Sequence, residues 1–147
     1  MTEAVVETLS ENDLDTLVSI AIRRAEVLED VGSASAEEAW LEVLAYEERL
    51  AAITPAADIA GGIARAGAVH AALAAGRRED AERLARKFLS DPSLTPERRA
   101  AIERAIEEDG RRLAAHFPAL AKTGRLSEVQ NWRREVAKAA GVFPRAA

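Results

Sequence analysis

Start and stop signals for helices alternate along most of this chain, and that punctuation constrains the fold more than any other feature. Ser10 followed by Asp13 has the form of a capping box, in which side chains satisfy the free backbone N–H groups of an opening turn. Leu14, Leu17, Val18, Ala21, Ala25 and Leu28 then recur at helical spacing until Val31-Gly32, a glycine stop. Ser35 with Glu38 repeats the start signal. Ala39, Trp40, Val43, Leu44, Leu50 and Ala51 form the apolar line of a second helix, interrupted by Glu47. Thr54-Pro55 reads as a third start with proline at the first helical position, and that helix runs to Ala75 before Gly76. A fourth, from Arg78 to Ser90, carries Ala81, Leu84, Ala85, Phe88 and Leu89 on one face and ends at Asp91-Pro92. Thr95-Pro96 opens a fifth, in which Ile102, Ala105, Ile106 and Leu113 lead towards His116, with a break allowed at Gly110. Pro118 to Lys122 has room for a short turn. Ser127 with Gln130 starts a last helix that sets Val129, Trp132, Val136 and Ala140 on one side.

No segment alternates with a period of two, and no turn dipeptide joins two β-branched runs. The expected fold is all-α: antiparallel helical hairpins, five main helices plus one or two short ones, forming a bundle or short solenoid. One domain over 1–147 is expected, with residues 124–147 a basic C-terminal helix and tail. Aromatics are 4% against a hydrophobic fraction of 48%, so alanine supplies much of the apolar surface and lets helices approach closely.

Composition removes several functional classes. The chain has no cysteine, which excludes a disulfide framework, a thiolate zinc site and a cysteine nucleophile. The first residues are acidic rather than signal-like, and no run approaches the roughly 18 apolar residues of a membrane span. A soluble cytoplasmic protein without membrane attachment is therefore expected. With 17 Arg against 3 Lys, the composition is the one expected from a GC-rich bacterial genome. The net charge of −5 argues against a nucleic-acid coat, but the charge is polarised. Residues 1–60 hold 14 acids and 3 bases, residues 61–110 nine of each, and residues 111–147 two acids and eight bases.

Gly61, Gly62 and Gly67 match neither phosphate-loop spacing and follow no strand, so they read as close helix packing. His70 and His116 have no acid three or four residues away, and no metal site or cofactor is expected. His70, mid-helix among alanines, reads as a partly buried histidine. Glu47-Glu48 and Glu107-Glu108-Asp109 read as solvated helix faces. The stripe Val129–Trp132–Val136 reads first as a core position, while Trp132 with Arg133 and Arg134 also combines residue types enriched at interface hot spots. Trp40 is expected in the core.

Gly76, Ala81, Phe88, Leu89 and Pro92 resemble the second helix of a tetratricopeptide repeat, within a hairpin over residues 62–92. The first helix of that hairpin departs from the pattern, with Arg65, Ala68, Val69 and Ala72 where the family places aromatic, leucine, small and aromatic residues. The resemblance implies a helical-hairpin interaction surface. The resulting expectation is a non-catalytic protein-interaction or adaptor module that binds another protein or itself, with contacts at Arg65, His70, Trp132, Arg133 and Arg134. Two other classes fit the charge polarity: a connector component of a viral or compartment particle, and a nucleic-acid-associated regulator using the basic C-terminal helix.

Overall fold

The computed structural model describes residues 8–117, and within them the chain is five α-helices joined by short connections. They are α1 (Glu11–Asp30), α2 (Ala36–Ile53), α3 (Ile59–Ala74), α4 (Arg78–Leu89) and α5 (Pro96–His116). The segments from Pro118 onward, with Trp132, Arg133 and Arg134, lie outside the described residues.

Most of the punctuation acts as written. The Ser10 hydroxyl accepts from the Asp13 backbone N–H at 3.2 Å and caps α1. Thr95 accepts from Arg98 N–H in the same way, with Pro96 at the first helical position of α5. Gly32 and Gly76 close α1 and α3 in the left-handed region, at φ 67° and 75°, where a Cβ would be strained.

Three local expectations are corrected. Ser35 makes no side-chain cap bond; the Ser33 hydroxyl instead accepts from the Ser35 N–H at 3.1 Å, ahead of the helix. The third helix begins at Ile59, not Pro55. Thr54 must be extended because proline follows it (φ −122°, ψ 139°), and residues 55–58 form a turn closed by Asp58 N–H to the Pro55 carbonyl. Gly110 does not break α5, which continues to His116. Leu113, 2% exposed, fastens the turn beyond that glycine.

The packing order is α1 on α2, α2 on α3, and then α3 against both α4 and α5, which also touch each other. One core runs through all five, from Leu14 and Val18 through Trp40, Val43 and Val69 to Phe88 and Ile102. Five alanines of α3's neighbourhood (Ala64, Ala68, Ala71, Ala72 and Ala75) are almost fully buried, so α3 is the close-packed centre. Its glycines serve the same end. A Cβ on Gly61 would run into the Pro55 carbonyl, and one on Gly62 would lie 2.6 Å from Arg98 Cγ. Gly61→Ala is expected to cost about 2 kcal/mol, because a backbone carbonyl must give way. Urea denaturation of the variant checks this, and an unchanged midpoint would remove the packing explanation.

Candidate functional site

Two predicted contact residues fall on α3, and the structure gives them different surroundings. Arg65 is half-buried, and its Nη1 donates to the Thr54 carbonyl at 3.1 Å and to the Gly61 carbonyl at 2.9 Å. It therefore ties off the C-terminus of α2, where free carbonyls favour a cation. Its guanidinium also sits 5.8 Å from the centre of the Phe88 ring. His70 is exposed rather than partly buried, and meets Trp40 edge-on, with ring centroids 5.6 Å apart at 85°. Trp40 itself is 3% exposed, as its place in the apolar line implies. Its indole N–H donates to Glu29 Oε2 at 2.7 Å, so one side chain links α1, α2 and α3.

Arg65 is one wall of a groove of about 600 Å³ between α2, α3 and α4, shared with Glu48, Arg83, Lys87, Phe88 and Asp91. Its charges are mixed. The Ser93 hydroxyl and N–H both donate to Asp91 Oδ1, which lowers the Asp91 pKa, and nearby Arg65 and Arg99 add to the effect. Arg99 repeats the role of Arg65 one hairpin later, donating to the Leu89 and Asp91 carbonyls at the end of α4. The groove thus has one helix-terminating arginine, Arg65, beside the Phe88 ring and charges of both signs in its lining, which suits a polar polypeptide segment.

Among the described residues, no group of three or more His, Asp or Glu side chains could hold a metal ion, and no helix is long and apolar enough to cross a membrane.

The acids corrected by the structure are Glu47 and Asp109. Neither is solvated: they are 4% and 5% exposed. Asp109 accepts from Arg78 Nη1 and Arg112 Nη2, each at 2.6 Å. Glu47 faces Gly67, where a Cβ would come within 2.5 Å of Oε1, so glycine leaves the room that the carboxyl fills. Burial raises its pKa to about 7, and the charge of Asp15 adds to the shift.

The sequence reading missed the exposed apolar surface. Every large hydrophobic residue that stands well out of the described surface lies in α1, in α3, or beside the turns that follow α1 and α2: Ile20, Val27, Val31, Ile53, Ile59 and Ile63. Ile20 and Val27 on α1 and Val31 at its C-cap occupy positions i, i+7 and i+11, a second line set away from the buried Leu14, Val18, Ala21 and Ala25. Spacing alone could have revealed it. The flank of α1 from Ser19 to Leu28 forms a shallow apolar depression of about 440 Å³ that includes Ile20, Arg23, Arg24 and Val27.

No family model, curated protein or solved structure matches this chain.

Proposed function

We propose that the chain is a helical protein-interaction module. The observation that carries this reading is the uneven distribution of exposed aliphatic side chains. Six large ones stand out between Ile20 and Ile63, from 38% exposed at Ile53 to 77% at Ile59. None stands out on α4 or α5 among the described residues. Scattered apolar residues are ordinary on a surface, whereas their confinement to the first three helices and the turns beside them, among the described residues, marks those helices as the ones that offer apolar area to a partner. In this reading burial of exposed aliphatic side chains on α1 and α3 supplies the affinity, and the polarised charge supplies orientation and partner choice. The groove at Arg65 and Phe88 is a secondary contact on the same module.

The test places a photo-crosslinking residue at Val27 or Ile59, with exposed Glu97 on α5 as control, in cells that express the full chain. Discrete adducts at the two aliphatic positions and none at Glu97 are expected. Equal labelling at all three, or no adduct at any, would overturn the reading.

A further inference from the structure

The seam between α4 and α5 opens outward into an apolar groove of about 390 Å³, floored by Leu89 and Ile106. Its rim is mainly acidic. Glu103 and Glu107 stand one turn apart on the α5 side, and Glu82 and Arg86 one turn apart on the α4 side. Glu82 is taken up by Arg78 at 2.8 Å, and Glu107 pairs with exposed Arg111 at 3.2 Å. Glu103 and Arg86 are exposed and have no side-chain hydrogen bond or ion pair among the described residues. The groove therefore fits an apolar line with cations on the side of α5 and an anion on the side of α4.

The chain itself carries such a line. Residues 124–147, outside the described residues, hold five bases and two acids. Val129, Trp132, Val136 and Ala140 recur there at helical spacing. On a right-handed helix Arg133 falls to one side of that line, and Glu128 and Glu135 to the other. Laid in the groove antiparallel to α5, this helix turns Arg133 towards Glu103 and Glu107, and its two acids towards Arg86. Laid parallel, it would set Arg133 towards Arg86 and the acids towards Glu103. The length of chain permits the antiparallel course. Ile106 lies ten residues before His116, about 15 Å along α5, and residues 117–126 reach about 33 Å when extended.

We propose that the groove between α4 and α5 is the docking site of this chain's own segment 127–140, laid antiparallel to α5 with Trp132 over Leu89 and Ile106. Arg133 meets the acids of α5, and Glu128 and Glu135 meet Arg86. Trp132 is then a contact within one molecule rather than an anchor for a second. This contact is separate from the exposed aliphatic residues on α1 and α3 that carry the interaction-module reading.

Hydrogen exchange read by mass spectrometry on the full-length chain tests this, with the amides of α3 as the reference for folding. Amides of 127–140 are expected to exchange at least tenfold more slowly than those of a free peptide of the same sequence. Glu103→Arg with Glu107→Arg should remove most of that protection, and adding Arg133→Glu should restore it. Trp132→Asp is expected to abolish it while α3 exchanges as in the wild type. Free exchange of 127–140 in the wild type would overturn the proposal, as would protection indifferent to the charge reversal on α5. Protection that appears only when duplex DNA is added would also overturn it, and would assign the basic segment to an outside partner.

Discussion

Arg78→Met is expected to be the most damaging single substitution in the described structure, lowering the unfolding free energy by about 3–5 kcal/mol. The reason is where Arg78 sits. It opens α4 with 6% of its surface exposed, donates through Nη1 to Asp109 on α5, and pairs through Nε with Glu82 at 2.8 Å. Removing the guanidinium leaves Asp109 buried, with Arg112, whose side chain is 44% exposed, as its remaining cation. An uncompensated buried carboxylate costs far more than the pair itself contributes. The double variant Arg78→Met with Asp109→Leu should therefore recover most of the loss. Urea unfolding followed by circular dichroism measures both. If the double variant is as unstable as the single, the buried charge is not the cause.

The second large effect depends on pH. Glu47 has its pKa raised from 4.5 to about 7, so between those values the folded chain holds a proton that the unfolded chain has released. Folding is then favoured by acid: Glu47 adds no penalty below pH 4.5, and stability falls as pH rises through 7. The shift corresponds to about 3 kcal/mol at most, given 1.36 kcal/mol per pKa unit. Glu47→Gln keeps the shape and removes the ionisation. Its stability relative to wild type is expected to rise between pH 5 and pH 8, ending up to about 3 kcal/mol above wild type. Taking the difference between the two proteins cancels the contributions of the other ionisable groups. Urea midpoints at several pH values give the answer, and a difference that does not change with pH would show that Glu47 is not the titrating group. Replacement of Gly67 by alanine should interact strongly with both forms, because its methyl group would enter the space held by the carboxyl.

The helices were legible because their signals are local. Ser10, Gly32, Gly76, Asp91-Pro92 and Thr95-Pro96 each act on the backbone within one turn, and the structure uses all of them. Pro55 misled because proline suits both a first helical turn and an extended entry to a tight turn. Its position after Thr54, which donates its hydroxyl back to the Leu50 carbonyl, decided for the turn. Burial of charge was the illegible part. Glu47 stood as an exception in an apolar line and Asp109 inside an acidic run, and only the facing helices separate the two from solvated neighbours such as Glu48 and Glu108. The partner groups, Gly67 and Arg78, lie 20 and 31 residues away. Of the predicted contacts, Arg65 borders a groove and His70 stands on the surface, while the α1 line was readable and overlooked.

The place of α1 at the edge of the packing order has a consequence for how the native state opens. Detaching α3 breaks packing with α2, α4 and α5 together, whereas detaching α1 breaks one extensive seam, the contact with α2. Local opening follows the smallest loss of contact, so amide hydrogens of α1 should exchange with solvent before those of α3, with the rest of the chain still folded.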